Sequence, residues 1–225
     1  MCSSDLEHPK RGSIPPSEFI PVAEMSDLIN QLGSFALERA TSDLTDWQRQ
    51  TGALPIFVSV NLSSAQVLNN NLYNDVRALL ARTECAPSQI KLELTESVMM
   101  ENPEQARLVL TKLKEAGVGL ALDDFGTGYS SLAYLTQFPF DTIKLDKALV
   151  RDAHDKRAVL LRSVVAMARA LEMTVVAEGI QADEDAAELV KMGCHFGQSF
   201  LFGPPTTAEA TLRVLKERFP LTKRA

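Results

Sequence analysis

The chain has 225 residues, 45% of them hydrophobic, and its 23 Lys and Arg against 29 Asp and Glu leave a net charge of −6. That balance excludes a wholly disordered chain, and its acidic sign argues against broad binding to the backbone of a DNA or RNA polymer. Uninterrupted apolar runs, such as Ala158 to Leu161, are only a few residues long, where a membrane-spanning helix needs about 18.

The N-terminal stretch carries Glu7, Lys10, Arg11 and Glu18 and has no apolar core of a secretory signal. Cys2, Cys85 and Cys194 are scattered and make no disulfide framework, which points to a reducing cytoplasm. His8, His154 and His195 have no zinc spacing.

Residues 1–12 read as a polar leader, 13–219 as one domain, and 220–225 as a tail. Pro15-Pro16-Ser17-Glu18 starts a helix, with proline in the first turn and an acid near the positive end. Helical spacing continues through Phe19, Val22 and Ala23, resumes at Leu28, and reaches Trp47, with Thr51-Gly52 closing it. A strand follows over Ile56–Leu62, then a helix whose apolar positions run from Val67 to Leu80. Further strands are predicted over Ile90–Thr95, Val118–Leu122, Thr142–Leu145 and Thr174–Ala177, with a weaker one inside His195–Phe202. The helices between them span Pro103–Ala116, Ser130–Phe138, Asp155–Leu171 and Asp183–Met192, and Thr207–Arg218 forms the last. Strands alternating with helices imply parallel crossovers, in an α/β barrel or a doubly wound sheet.

The strand ends carry the chemistry. They read Ser59-Val60-Asn61, Glu93-Leu94-Thr95-Glu96, Asp123-Asp124, Lys144-Leu145-Asp146 and Glu178, with Gln198 in the weak sixth strand. Strand alternation places Ser59 with Asn61, Ala121 with Asp123, and Thr142 with Lys144 and Asp146 on shared faces. Polar residues at the carboxyl end of every strand form a ring, which favours the barrel over a sheet with one switch point. The ring offers hard oxygen donors, suited to Mg²⁺ or Mn²⁺ rather than zinc. Adjacent acids such as Asp123-Asp124 suit a two-metal centre, where two ions clamp the attacking and leaving oxygens of a phosphoryl displacement. Lys144 is the single cation of the ring, and Glu178 stands across it for base or metal duty. A merely solvated strand end accounts for Gln198 or Asp146 alone about as well as a role does.

Asp124-Phe125-Gly126-Thr127-Gly128-Tyr129-Ser130-Ser131 is a glycine-rich loop beside the acids. Its spacing fails the dinucleotide-binding pattern, because Ser131 stands where a third glycine is needed. A tight mobile loop and a plain strand-to-helix turn both fit it.

Ile14-Pro15-Pro16-Ser17-Glu18-Phe19-Ile20-Pro21 resembles the entry segment of the EAL domain, the bacterial cyclic di-GMP phosphodiesterase family. Asn61-Leu62-Ser63, Glu93 to Ser97, Leu122 to Ser131, Lys144-Leu145-Asp146 and Ala177-Glu178-Gly179 resemble that family's later motifs, in order. The resemblance covers about Glu7 to Phe219. It implies a TIM-like (β/α) barrel of the EAL type, two Mg²⁺ or Mn²⁺ ions with Ca²⁺ inhibitory, and hydrolysis of cyclic di-GMP to linear pGpG in signal transduction. By motif, Asn61, Glu93, Asp123 and Asp124 are expected as metal ligands and Glu96 as the anchor of the loop Phe125 to Ser131. Lys144 is expected on the catalytic water, Glu178 as base or metal partner, and Gln198 in the water network. Phe125, Gly126, Thr127, Gly128, Tyr129, Ser130 and Asp146 belong to the substrate and loop region. A homodimer through 125–131 and the following helix is also implied.

The chain departs from the family at three places. The Glu-Ala-Leu segment expected just before Glu7-His8-Pro9 is replaced by Met1 to Leu6, Gln181 stands where an acid is usual, and Ser199 follows Gln198 in place of glycine. Six strands are readable where a barrel wants eight. These observations suggest a start truncated before the signature, a native protein with an upstream GGDEF or sensor domain, and impaired turnover. A non-catalytic EAL module that binds cyclic di-GMP or a protein stands as the alternative. An unrelated Mg²⁺-dependent barrel fits the carboxylate ring but not the ordered motifs.

Overall fold

Pro15 holds the extended conformation that a following proline imposes, so the first helix begins only at the second proline. The computed structural model describes residues 6–219 apart from 27, 53, 70, 127–131 and 152–155. Ahead of Pro15, β1 (Leu6–His8) pairs antiparallel with β2 (Gly12–Ile14), so part of the expected leader is a hairpin. Helix α1 (Pro16–Glu24) leads into α2 (Leu28–Thr51). The buried side of α2, Ile29, Gly33, Leu37, Thr41, Leu44, Trp47 and Thr51, repeats every three or four residues and covers the core.

The strand–helix alternation then runs through the chain. Strand β3 (Val58–Asn61) is followed by α3 (Ser64–Val67) and α4 (Leu72–Arg82), and β4 (Ile90–Thr95) by α5 (Ser97–Glu101) and α6 (Pro103–Glu115). After β5 (Gly119–Phe125) come α7 (Leu132–Gln137), β6 (Thr142–Leu145), α8 (Lys147–Arg151) and α9 (Lys156–Ala170). Strand β7 (Thr174–Glu178), α10 (Asp183–Met192), β8 (Phe196–Gln198) and α11 (Ala208–Arg218) complete the described chain. The single helix expected through Val67 to Leu80 is two. Ser63 starts α3 with a reciprocal cap, in which Gln66 N–H donates to Ser63 Oγ and Ser63 N–H to Gln66 Oε1. The third expected strand runs past Leu122 to Phe125.

Strands β3 to β8 form one six-stranded sheet in sequence order, every pair parallel. A doubly wound sheet would reverse its order at a switch point; this one does not, so it is an arc of a barrel. Each strand alternates. Leu92 and Leu94 of β4, Leu120 and Leu122 of β5, and Ile143 and Leu145 of β6 are fully buried in the core. They share that core with Ala106, Leu110 and Leu113 of α6 and with Leu161, Val165 and Ala168 of α9. The opposite face of the same strands carries Lys91, Glu93, Asp123, Thr142 and Lys144, and it holds the site.

Gly193 ends α10 in a left-handed conformation, φ 106°, its N–H donating to the carbonyls of Leu189 and Val190. A Cβ there would lie 2.7 Å from Cδ of Arg169. Gly193→Ala is expected to lower the unfolding free energy by about 1–2 kcal/mol in urea titrations. An unchanged midpoint would mean that the helix end is free to adopt another conformation.

Candidate active site

The inner face of β6 brings Lys144 into the middle of the sheet, where it is 3% exposed. Its Nζ donates to Glu93 Oε2 of β4 at 2.7 Å and lies 3.0 Å from Asp123 Oδ1 of β5 and 2.8 Å from Glu178 Oε1 of β7. An ammonium has three N–H donors, and here three carboxylates from three strands surround it. Burial alone would lower the Lys144 pKa. The charges of Glu93 and Asp123 and the hydrogen bonds to Glu178 and Glu93 reverse this and hold it above the ordinary lysine range. Glu178 moves up as well: burial raises its carboxyl, the Lys144 hydrogen bond and charge partly offset this, and Asp123 and Glu93 push it further up.

Register explains why these four meet. Glu93 lies opposite Asn61 on one side and Ala121 on the other, Lys144 opposite Val176, and Glu178 opposite Gln198. In a regular strand Asp123 and Asp124 would point to opposite faces. Between β5 and β6 the pairing passes from Leu122–Ile143 to Phe125–Leu145, three residues against two, so β5 bulges at the two acids. Asp124 sits in the left-handed region at φ 54°, a conformation that Asp and Asn tolerate better than most residues. The Asp124 N–H donates to Asp123 Oδ1 at 2.9 Å. Partial burial, with Asp123 and Asp146 nearby, pushes the Asp124 carboxyl above its ordinary value.

The bulge brings one oxygen each of Asp123, Asp124 and Glu178 within 4.8 Å of one another. Three hard anionic donors at that spacing fit a divalent cation of the Mg²⁺ or Mn²⁺ type and lack the soft ligands that zinc prefers. Glu93 faces Lys144, and Asn61 is exposed at the end of β3. Asp146, 8% exposed, accepts from Ala148 N–H at 2.7 Å and so caps α8, while its own N–H donates to Phe125 O. Gln198 is half-buried, and its carbonyl accepts from Gly179 N–H. Glu96 stands at the N-cap of α5. Phe125 is buried and Gly126 adopts φ 103° against Leu149, while Thr127, Gly128, Tyr129 and Ser130 lie outside the described residues. Thr95, the register partner of Asp123, is a rim residue to which the strand-end reading gave no role; its hydroxyl lies 2.7 Å from Ser97 Oγ.

The family model of the EAL domain matches residues 1–205. The chain belongs to the EAL domain family. The bifunctional diguanylate cyclase/cyclic di-GMP phosphodiesterase MucR of Pseudomonas aeruginosa is 38% identical over 208 residues, covering 92% of this EAL chain and 30% of its own length. The cyclic di-GMP phosphodiesterase PdeR of Escherichia coli K12 is 38% identical over 212 residues, covering 93% of this chain and 32% of its own. An uncharacterized signaling protein of Caulobacter vibrioides is 41% identical over 206 residues, 91% of this chain and 25% of its own. The chain thus spans about a quarter to a third of the length of these curated relatives. Among solved structures, the MucR phosphodiesterase in complex with c-di-GMP has a TM-score of 0.85 at 37% identity, over 92% of this chain and 84% of its own. The EAL domain of Mycobacterium smegmatis DcpA has a TM-score of 0.78 at 30% identity, over 84% of this chain and 86% of its own.

Asp124→Asn keeps the shape and the left-handed tolerance and removes one anionic donor. Its thermal midpoint is expected to match or exceed that of the parent, while Mn²⁺ affinity by calorimetry falls about tenfold or more. Equal Mn²⁺ affinity in the two proteins would remove Asp124 from the cation site.

Proposed function

We propose that the chain is a phosphodiesterase that hydrolyses cyclic di-GMP to linear pGpG with two Mg²⁺ or Mn²⁺ ions. The observation that carries this reading is the convergence of Asp123, Asp124 and Glu178 beside a buried Lys144. It occurs in a chain whose EAL relatives MucR and PdeR, matching 92% and 93% of it, bear that activity in their names.

In this reading Asp123 and Asp124 would hold the ions, with Glu93 and Asn61 at the adjoining strand ends as further ligands and Glu178 beside them as base or metal partner. Divalent ions held there would supply Lewis acidity toward the phosphate oxygens and toward a bound water. Lys144 stays charged, and once an ion engages one of its three carboxylate partners the freed N–H would direct a water lone pair by hydrogen bonding. Glu178 would accept the proton of that water. The water oxygen forms a new bond to phosphorus, one phosphorus–oxygen ester bond of the ring breaks, and the freed alkoxide takes up a proton to leave an open dinucleotide. Gln198, beside Glu178 across the β7–β8 pair, holds the water network. Asp146 and the loop from Phe125 to Ser130 shape the substrate side, and Glu96 anchors that loop.

The relatives' greater length and the diguanylate cyclase in MucR's name support a parent protein with a GGDEF or sensor domain, and the scattered cysteines support a place in the cytoplasm. Residues 125–131 and α7 form its dimer contact. No helix among the described residues is long and apolar enough to cross a membrane.

The test is chromatographic detection of pGpG from cyclic di-GMP at high enzyme concentration in Mg²⁺, Mn²⁺ or Ca²⁺. Product is expected in the first two and not in Ca²⁺, and Glu178→Gln should lose about 100-fold or more in rate. Binding of cyclic di-GMP without any product in Mn²⁺ would replace hydrolysis by a receptor role.

A further inference from the structure

The opposite end of the same strands carries a second polar network that the proposed chemistry does not use. Lys91 of β4 donates from Nζ to Thr142 Oγ1 of β6 at 2.6 Å, and the Thr142 hydroxyl donates to Asp141 Oδ1 at 2.8 Å. Asp141 Oδ2 accepts from Lys114 Nζ of α6 at 2.5 Å and from the N–H of Leu120 of β5 at 2.9 Å. The backbone of Asp141 continues the pattern, donating to Leu120 O at 3.0 Å and accepting from Thr174 N–H of β7 at 2.8 Å. One aspartate therefore fastens β5, β6, β7 and α6, and through Thr142 it reaches β4.

The room for this network is built in. Gly119 has no side chain where the Lys91 stem passes, and a Cβ there would lie 3.1 Å from Lys91 Cε. The Lys91 ammonium lies 4.7 Å from the centre of the Phe57 ring, a cation–π contact on its far side. Thr142 is wholly buried.

The strands fastened here are those that present the site. Glu93 lies two residues beyond Lys91, Lys144 two beyond Thr142, Asp123 three beyond Leu120, and Glu178 four beyond Thr174. The bulge at Asp123 and Asp124 frees β5 from regular pairing with β6 just before the acids, so their axial placement depends on the register below it. We infer that Asp141 is a positioning residue: with Lys91, Lys114 and Thr142 it locks the register of β4 to β7 and so sets the spacing of Lys144 and its three carboxylates. Its importance for catalysis rests on the proposed phosphodiesterase reading; the positioning itself does not.

The test compares Asp141→Asn, Thr142→Val and, as a control for stability alone, Leu189→Ala in the buried face of α10. The readout is water exchange of the Lys144 ammonium by ¹⁵N NMR, with Mn²⁺ affinity measured in parallel. Asp141→Asn and Thr142→Val are expected to speed the exchange about threefold or more, while Leu189→Ala lowers the thermal midpoint and leaves it unchanged. Mn²⁺ affinity should weaken in the same two variants. Faster exchange with unaltered Mn²⁺ binding would uphold the positioning and count against the metal reading. Exchange equal to the parent in both variants, or changed as much in Leu189→Ala, would overturn the inference. A parent ammonium exchanging as fast as an exposed lysine would overturn it together with the site.

Discussion

The contact of the Lys144 ammonium with Glu93, Asp123 and Glu178 is the interaction on which the rest of this molecule depends. Carboxylates drawn together in a poorly solvated space repel one another, and each loses hydration. A single buried cation with three donors satisfies one oxygen of each. It does so only if three strands stop at the right height, so the contact reports on the whole sheet. Removing one partner of such a buried set is far more damaging than losing a surface ion pair, because the remaining charges stay buried.

A parallel sheet of consecutive strands is the frame that makes this possible. Its outer face buries aliphatic side chains beneath the helices, and that burial is the main favourable term in folding. Its inner face is left to polar residues, which alternation places in rows. Alternation alone would waste one of two adjacent acids. The β5 bulge and the left-handed Asp124 recover it, at the cost of an uncommon backbone conformation that recurs at functional sites.

Much of this was legible in the sequence wherever a long periodic signal existed. Ile90–Thr95, Thr142–Leu145 and Asp183–Met192 match their elements residue for residue. The polar strand ends marked Glu93, Asp123, Lys144 and Glu178 before any geometry. What escaped lay in short or irregular segments. Helices α5 and α8, five residues each, are too brief to show a period, and the β1–β2 hairpin is almost wholly exposed, so it has no apolar alternation to read. The bulge escaped because Asp123-Asp124 continues an apolar strand without any breaker, and the clue was chemical: two acids of one strand were both wanted on one face. Asp141 escaped because its partners, Lys91 and Lys114, are 50 and 27 residues away in sequence.

Lys144 is the cation that assembles the inner face. Thermal and urea unfolding of Lys144→Met, in chelator and in Mn²⁺, tests this role most directly. A loss of about 3–5 kcal/mol is expected in chelator, because three carboxylates remain without their cation. A larger stabilisation by Mn²⁺ than the parent shows is also expected, because the ion then meets uncompensated charge. A variant as stable as the parent in chelator would contradict this role.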